Sequence, residues 1–254
     1  FTHPVPVEAE IGRYYETPDY ISHSDTHKGL MNRVYHWVRR VMLARKARLV
    51  KHNSRLSQGS LLDIGTGTGY FPHFMQERGW HVSAIEKSPQ ARQFAKEHFE
   101  LDVAAPEALN EFADKSFDVI TLWHVMEHLE HLNETWETLK RILKDQGILI
   151  IAVPNPTSFD AEKYKEMWGA YDVPRHLWHF SPSVMQQFGA KHDFILCERH
   201  PMPFDAFYVS MLSEKYRKSA FPFIKGLITG SEAWIVSLAK KDRSSSMIYV
   251  FRKK

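Results

Sequence analysis

The sequence contains a single cysteine, Cys197, among its 254 residues. One cysteine excludes an internal disulfide and a cysteine-rich zinc cluster, and it is consistent with a reducing compartment. No run of about 18 uncharged apolar residues is present, which argues against a transmembrane helix. The start also lacks the basic and apolar segments of a signal peptide. These absences predict a cytoplasmic protein. Because the chain begins with Phe1 rather than Met, we also expect residues upstream of it.

The sequence has no large excess of positive or negative charge, and its net charge is only +3. That value is too small to predict nucleic-acid binding. The distribution is nevertheless uneven, since residues 24–55 hold nine Lys or Arg against one acid, Asp25. A basic helical face of this kind can meet RNA, anionic lipid or an acidic substrate, and a solvated outer face is the alternative.

The hydrophobic pattern predicts an α/β protein. Apolar residues at helical spacing predict a helix over about 25–51. Farther along, short apolar strands alternate with helices of about ten residues, which indicates parallel βαβ units in a doubly wound, mostly parallel sheet. The predicted strands are 60–64, 81–86, 117–123, 147–153, 194–199 and 247–251.

The pattern also predicts how the chain is divided. Residues 1–55 are interpreted as a lead-in and a basic helix that caps a ligand site, and residues 56–200 as the core that binds the ligand. Residues 201–245 form a helical insertion, because they are too long for a hairpin connection, and residues 246–254 are the terminal strand of the core sheet. The apolar helices of the insertion fit either the binding of a lipid-like molecule or packing in the core.

A glycine-rich turn follows the first predicted strand. Gly65, Gly67 and Gly69 stand between that strand and a helix. Glycine lets the backbone turn sharply and approach a ligand, and the helix start behind the turn offers free N–H groups. Ligands of open α/β sheets bind at the carboxyl ends of the strands, where this turn lies. A turn that uses glycine for its geometry alone is the other interpretation.

An acidic residue at the end of the second strand supports a nucleoside ligand. Glu86 stands 17 residues after Gly69, where a carboxylate can accept hydrogen bonds from ribose hydroxyls. The loop reads G-x-G-x-G rather than the dinucleotide pattern G-x-G-x-x-G, and no G-x-x-x-x-G-K-[ST] triphosphate loop occurs. A nicotinamide-dependent oxidoreductase is therefore the less favoured alternative.

Two segments resemble a known enzyme family. LLDIGTGTGYF at 61–71 resembles motif I of the class I S-adenosylmethionine-dependent methyltransferases, and FDVITLWHVMEHL at 117–129 is similar to their fourth strand and following loop. Further segments resemble the bacterial methyltransferase domain 23 branch, which is related to the ubiquinone-pathway O-methyltransferases. They are YISHSDTHKGL, DVPRHLWHFSP, DAFYVSMLSEKY and SSSMIYVFRK. The resemblance implies a seven-stranded Rossmann-like methyltransferase fold and S-adenosylmethionine as cofactor.

The same resemblance assigns cofactor-binding residues. Asp63 would order the glycine loop and approach the methionine amino group, and Glu86 would hold the ribose. The other implied contacts come from the loop, the strand ends and the adenine segment: Gly65, Thr66, Gly67, Gly69, Lys87, Pro106, Glu107, Trp123 and His124. Asp102 and Glu107 compete for the acidic position near adenine. Members of the branch often carry a Cys-x-x-Cys segment before the equivalent of Phe1. That segment is absent here, so we predict no metal site.

Methyl transfer from a sulfonium needs alignment above all, and alignment can supply roughly 7–11 kcal/mol of a barrier. A general base adds roughly 10²–10⁴-fold where the acceptor must lose a proton. Among the histidines that border the predicted site, His128 and His176 are the favoured bases. Arg175 would bind an acceptor carboxylate or phosphate, or form a structural ion pair. Other residues would line an acceptor pocket or belong to the core: Trp168, Tyr171, His179 and Tyr208.

The type of acceptor can be narrowed by what the motifs lack. No Asn/Asp-Pro-Pro-Tyr follows the fourth strand, which disfavours amino-group methylation of adenine or glutamine. His124 to His128 matches the zinc-protease pattern H-x-x-E-H, but it begins at a strand end rather than within a helix, so we reject that function. We predict in-line O-methylation of a small molecule with a histidine base. The alternatives are an RNA or lipid-linked acceptor, or a cofactor-binding module without catalysis.

Overall fold

The structure, a computed structural model, describes residues 1–6, 14 and 30–254. Most of the predicted lead-in, and the segment YISHSDTHKGL apart from its last residue, lie outside these residues. None of the helices in the described part of the chain combines the length and the apolar character needed to cross a bilayer.

The helices and strands alternate as the hydrophobic pattern predicts. The helices are α1 (Leu30–Ser54), α2 (Tyr70–Gln76), α3 (Pro89–Phe99), α4 (Leu132–Ile142), α5 (Phe159–Tyr164), α6 (Pro182–Lys191), α7 (Asp205–Tyr216) and α8 (Pro222–Ala239). The strands are β1 (Ser60–Ile64), β2 (His81–Ile85), β3 (Phe117–Trp123), β4 (Leu143–Pro154), β5 (Phe194–Pro201) and β6 (Ser246–Lys253). The helical insertion predicted before the last strand is observed as α7 and α8.

The strands form one mixed sheet in the order β2-β1-β3-β4-β6-β5. Strand β1 pairs in parallel with both β2 and β3, whereas β5 and β6 are antiparallel. Residues 148–153 of β4 are fully buried and are all aliphatic, as expected for a strand covered on both faces. The doubly wound, mostly parallel sheet is confirmed.

The expected seventh strand is absent from the described residues. In its place, Ala104 forms an isolated parallel bridge with Ile85 at the outer side of β2. The extended segment cannot grow into a strand because Glu100, at φ 53°, ends α3 just before it and Pro106 starts a short 3₁₀ helix just after it. The expectation of seven strands is therefore wrong for this part of the chain, which has six strands and one bridge.

Local signals explain where two helices begin. Ser88 caps α3 by accepting the N–H of Ala91, and Pro89 occupies the first helical position. Ser181 does the same for α6 through the N–H of Val184, and Pro182 occupies the first helical position.

The chain divides into two compact units. One unit comprises Gly12–Leu122 and Glu134–Ile150, and it carries the glycine loop. The other comprises Phe1–Ile11, Trp123–Asn133 and Ile151–Lys254, and it carries the candidate histidines and the insertion. They are called the loop unit and the histidine unit below.

Candidate active site

The glycine loop of the loop unit has a backbone that glycine alone adopts readily. Gly65, Gly67 and Gly69 have φ values of 68°, 57° and 84°, all in the left-handed region. The N–H groups of Gly65 and Thr66 donate to the carbonyl of Ile85 at 2.8 and 3.0 Å. These bonds fasten the start of the loop to the carboxyl end of β2.

Two of these glycines serve different purposes. A Cβ placed on Gly69 would lie 2.9 Å from the Cβ of Ala95 on α3, so Gly69 is required for close packing. A Cβ placed on Gly67 would have no atom within 4 Å. The loop therefore presents its backbone to open space at Gly67, where a ligand can approach it.

Glu86 connects the glycine loop to the start of α3. Its carboxylate is buried, with 4% of the residue exposed, and it accepts the N–H of Gly67 at 2.7 Å and the N–H of Ser88 at 2.9 Å. Each carboxylate oxygen has a second lone pair. Glu86, which is predicted to bind the ribose, thus also holds the loop. The remaining lone pairs of its carboxylate can accept hydrogen bonds from hydroxyl groups.

Asp63 lies buried at the end of β1. The hydroxyl of Thr121 on β3 donates to its Oδ1 at 2.5 Å. Burial raises the pKa of Asp63 to about 6, against the opposing effect of the Thr121 hydrogen bond. Thr121 was missed by sequence reasoning, because its contact with Asp63 follows from the register of β1 and β3.

The predicted adenine segment lies beside the carboxyl end of β2. The N–H of Glu86 donates to the carbonyl of Ala104 at 3.0 Å, and Pro106 and Glu107 then begin the short 3₁₀ helix in exposed positions. The competing acid Asp102 has an 87% exposed side chain paired with Lys96 at 3.0 Å. Both acids are therefore exposed, and the choice between Asp102 and Glu107 stays a prediction. Lys87, predicted as a cofactor contact, is exposed.

In the histidine unit, His124 is held between two carboxylates. Its Nε2 lies 3.0 Å from Asp205 Oδ2, and its Nδ1 lies 3.4 Å from Glu127 Oε1. Burial lowers the pKa of His124, but the hydrogen bonds and charges of the two acids outweigh it and raise that pKa to about 10. His124 is therefore a cation at neutral pH, and it cannot act as a base there. Its φ of 58° is unusual for histidine, a backbone strain that is common at functional sites.

His128 and His176, the predicted bases, lie against each other. Their ring centroids are 4.6 Å apart. Nδ1 of His128 is 3.0 Å from the carbonyl of Arg175, and Nδ1 of His176 is 2.9 Å from the carbonyl of Ala170. Because a carbonyl only accepts, each Nδ1 must donate, and in the neutral imidazole Nε2 is then the atom that can accept a proton. Burial lowers the pKa of His128, which keeps its ring neutral.

Glu127 completes this cluster. It is 1% exposed, and its Oε2 has no hydrogen-bond partner among the described residues. One ligand atom from each of Glu127, His128 and His176 falls within 4.8 Å of the others, an arrangement that could hold a metal ion. That no metal binds remains a prediction. Sequence reasoning assigned no role to Glu127, although Glu127 is the acidic residue of the motif His-x-x-Glu-His.

The predicted acceptor-binding residues fall into different environments. Nη2 of Arg175 donates to Asp172 Oδ1 at 2.6 Å, so the structure shows the ion pair that was the alternative for this residue. Tyr171 packs edge-to-face against His179, with ring centroids 5.2 Å apart. Burial lowers the pKa of His179 to about 4. Tyr208 projects from α7 and is 67% exposed.

Trp168 belongs to the core instead. It is 1% exposed and packs in a cluster with Ala161, Tyr164 and Val209, and its indole N–H donates to Asp160 Oδ2 at 2.7 Å. Trp168 offers no surface to an acceptor in this structure. The expectation that it lines a pocket is corrected, because a buried carboxylate partner directs the indole inward. Trp123 is also buried, with 9% exposed.

Comparison with known proteins identifies the family. The profile of a methyltransferase domain family matches residues 34–197, which is more than half of the chain. The chain belongs to this methyltransferase domain family. The resemblance inferred from the glycine loop and the β3 segment is thereby confirmed.

Relatives of this methyltransferase domain are found in bacteria and fungi. An uncharacterized methyltransferase of Staphylococcus carnosus is 33% identical over 112 residues, which cover 43% of this chain and 53% of the relative. The mitochondrial ubiquinone biosynthesis O-methyltransferase of Schizosaccharomyces pombe is 27% identical over 134 residues, covering 50% of this chain and 49% of that protein. The chain thus spans about half the length of these curated relatives.

The fold is likewise similar to that of a solved methyltransferase structure. A crystal structure of a SAM dependent methyltransferase from Archaeoglobus fulgidus superimposes with a TM-score of 0.55 at 19% identity, covering 85% of this chain and 94% of that one. An identity this low speaks for the fold alone. The Rossmann-like methyltransferase fold predicted from the sequence is confirmed.

Proposed function

We propose that this methyltransferase domain transfers the methyl group of S-adenosylmethionine to an oxygen atom of a small molecule, with a histidine as base. The observation that carries the proposal is the 2.7 Å hydrogen bond from the Gly67 N–H to Glu86. It joins the glycine loop, whose glycines have left-handed backbone conformations, to a buried carboxylate at the ends of adjacent parallel strands. That pairing favours a nucleoside ligand with free ribose hydroxyls.

The described residues fit S-adenosylmethionine. The open space at Gly67 can admit a ligand close to the backbone, and Glu86 keeps lone pairs for the ribose. Asp63 offers a buried acid behind the loop, and Glu107 stands at the edge where adenine is expected. Membership in the methyltransferase domain family supports the same cofactor.

The cofactor, when bound, supplies a sulfonium methyl group that is already activated. What the protein has to add is position, exclusion of water and removal of the acceptor's proton. In this proposal the glycine loop, Asp63 and Glu86 perform the positioning. Trp123 is the last residue of β3 and His124 follows it directly, and we assign both to the methionine end.

Proton removal is assigned to the pair His128 and His176. The neutral ring of His128 can accept a proton on Nε2, because its Nδ1 donates to the carbonyl of Arg175. The buried carboxylate of Glu127 stabilises the positive charge that then forms on the pair. His124 is excluded as the base, because the two acids beside it already hold it protonated.

An oxygen acceptor is supported by the relatives named as O-methyltransferases of ubiquinone biosynthesis. Arg175, Tyr171, His179 and Tyr208 are proposed to contact the acceptor. A lipid-linked acceptor is the second candidate, because large apolar side chains of α8 are exposed rather than packed in the core.

The test begins with ligand binding. We expect S-adenosylhomocysteine, and not NAD, to raise the melting temperature of the protein. Stabilisation by NAD alone would contradict the cofactor assignment. Methyl transfer from labelled S-adenosylmethionine into a metabolite extract then tests catalysis, with separate scoring of aqueous and lipid-soluble products.

The analysis of products decides between the remaining alternatives. Label in an aqueous methyl ether or ester supports the main proposal, and label in a lipid supports the second candidate. Binding of S-adenosylhomocysteine without any labelled product, from extracts of several sources, would instead indicate a cofactor-binding module without catalysis.

A further inference from the structure

Helix α8 in the histidine unit is packed by its small residues. Its buried positions carry no large side chain: Gly226, Thr229, Gly230, Ala233 and Ser237. A Cβ on Gly226 would lie 2.6 Å from the Cα of Met211, and one on Gly230 would lie 2.8 Å from the Cα of Phe207. Both partners belong to α7. The two helices are therefore in close backbone contact, and that side of α8 has no room for large residues.

The large apolar residues of α8 point the other way. Seven of them form the outer face of α8, and each is between 37% and 63% exposed. They are Phe223, Ile224, Leu227, Ile228, Trp234, Ile235 and Leu238. Phe221, just before the helix, is 64% exposed as well. A contiguous apolar surface of this kind marks an interaction site, because isolated exposed apolar residues alone are common.

Cations flank this surface at both ends. Residues 215–243 contain seven Lys or Arg against two acids. Within α8 itself the ionisable residues are Lys225 and Glu232, and Glu232 is paired with Lys163 of α5. The remaining cations stand before or after the helix: Lys215, Arg217, Lys218, Lys240, Lys241 and Arg243. Of these, Arg243 is paired with Glu162 of α5.

We propose that the outer face of α8 docks onto an anionic lipid membrane, with the helix lying in the plane of the surface. An apolar face rich in Ile, Leu, Phe and Trp fits the boundary between headgroups and acyl chains, and the flanking cations fit anionic headgroups. Close contact with α7 keeps the opposite side of the helix out of the bilayer. The binding is peripheral, in agreement with the absence of a membrane-crossing helix from the described residues.

A second copy of the chain is the competing occupant of this surface. Both ends of α8 are cationic, so pairing two copies through their outer faces places like charges together in either the parallel or the antiparallel orientation. Such a juxtaposition is unfavourable for a protein–protein contact. An anionic surface relieves the same charges, and therefore we commit to the membrane.

The experiment is flotation of the whole chain with lipid vesicles on a density gradient. One vesicle population contains phosphatidylcholine with about 30 mol% phosphatidylglycerol, and the other is phosphatidylcholine alone. We expect the protein to float with the anionic vesicles, to float less with the neutral ones, and to be released in part by high salt, because salt screens exposed charges.

Matched variants locate the binding surface. Ile228→Ser with Ile235→Ser removes two exposed side chains from the outer face, and the partition onto anionic vesicles should fall on the order of tenfold per side chain. Val184→Ser with Ile195→Ser removes two comparably exposed aliphatic side chains from α6 and β5 and should float like the wild type. An unchanged melting temperature establishes that both variants are folded.

A second pair of variants tests the charges. Lys240→Gln with Lys241→Gln should weaken flotation with anionic vesicles and leave flotation with neutral vesicles unchanged. Lys240→Arg with Lys241→Arg keeps the charge and should retain the wild-type preference.

Three outcomes would overturn the proposal. They are no flotation of the wild type with anionic vesicles, equal flotation of wild type and Ile228→Ser/Ile235→Ser, and a solution dimer that this double variant dissociates. None of these measurements involves methyl transfer, so their result is independent of the proposed activity.

Discussion

His124 and Asp205 stand 81 positions apart in the chain, and Nε2 of the imidazole lies 3.0 Å from Oδ2 of the carboxylate. Glu127 approaches the other ring nitrogen. The imidazole is thereby fixed as a cation at the end of β3. Its positive charge distinguishes it from the neutral ring of His128 four residues later.

Replacing Asp205 by Asn should make the His124 cation easier to deprotonate. The amide keeps an oxygen near Nε2 but has no negative charge, so we expect the pKa of His124 to fall from about 10 by on the order of one unit or more. Stability from the raised pKa is fully present below about pH 6.5 and is lost as the pH rises through 10. Asp205→Asn should therefore be less stable than the wild type at neutral pH, and the difference should shrink at high pH.

Titration of the histidine ring protons by NMR measures this shift. Asp242→Asn is the control, because its carboxylate is paired with Arg199 rather than with a histidine. An unaltered titration of His124 in Asp205→Asn would show that the ion pair does not set its charge.

Gly67→Ala should abolish binding of S-adenosylhomocysteine while the protein still folds. At φ 57° a Cβ costs about 1–2 kcal/mol of stability, and it projects into the space that we assign to the ligand. Gly79→Ala is the control for backbone strain, since Gly79 has φ 81° but lies outside the loop, and its Cβ would displace the side-chain amide of Gln58. Calorimetry should find wild-type affinity in Gly79→Ala. The same affinity in Gly67→Ala would refute the position of the ligand.

Glu86→Gln should lower the affinity for S-adenosylhomocysteine by about 10- to 100-fold, because hydrogen bonds to a charged acceptor contribute about 1.5–3 kcal/mol. The substitution preserves the shape of the side chain, but the amide nitrogen cannot accept the N–H of Gly67 or Ser88 that it then faces. An unchanged melting temperature without ligand must therefore show that the loop is still folded. Asp102→Asn changes an exposed acid of the neighbouring segment and should leave the affinity unaltered. A comparable loss in both variants would mean that net charge, rather than the specific carboxylate, controls binding.

Asp63→Asn should stabilise the protein at neutral pH. Burial raises the pKa of Asp63 to about 6, so the folded state favours the protonated acid. The stability is highest when the acid is protonated and falls as the pH rises from about 4 through 6. The amide retains an acceptor for Thr121, and we expect a gain of about 1–3 kcal/mol at pH values above 6.

Urea unfolding of wild type and Asp63→Asn over that pH range measures the difference. The gain should vanish in acid, where Asp63 is neutral in the folded and unfolded states alike. Thr121→Val supplies the opposite case, because it removes the hydroxyl donor and should destabilise the protein at neutral pH. Equal stability of Asp63→Asn and the wild type at every pH would contradict a raised pKa.

Once an acceptor is in hand, His128→Gln should lower kcat by roughly 10²–10⁴-fold and leave the affinity for S-adenosylhomocysteine unchanged. The wild-type rate should fall only at acid pH, because burial lowers the pKa of His128. His176→Gln tests the second ring, and the exposed His131 provides the control substitution. If the rate survives in both His128→Gln and His176→Gln, neither histidine is the base.

The sequence predicts the parts of the fold that local signals determine. The bounds of β1 and β3 agree with the predicted strands, because each is a short apolar run between turn residues. The glycine loop and Glu86 were also found, since their spacing along the chain reflects one βαβ unit. The family resemblance added Asp63 and the segment after β3.

Contacts between distant residues were not predictable in this way. Neither the pairing of His124 with Asp205 nor that of Trp168 with Asp160 leaves a periodic pattern in the sequence. The outer face of α8 is a similar case, because its apolar residues fit core packing equally well. The contact of Gly226 and Gly230 with α7, together with the exposure of the apolar residues, shows which side of the helix faces outward.

The carboxylate of Glu86 holds the glycine loop through Gly67 and the helix start through Ser88, and both contacts are made within the protein. A loop that is already ordered has little conformational freedom left to lose when a nucleoside arrives. The entropic cost of association is then small, and more of the contact energy appears as affinity. In the proposed function Glu86 accordingly has two roles, because it orders the loop in advance and is also assigned to the ribose hydroxyls.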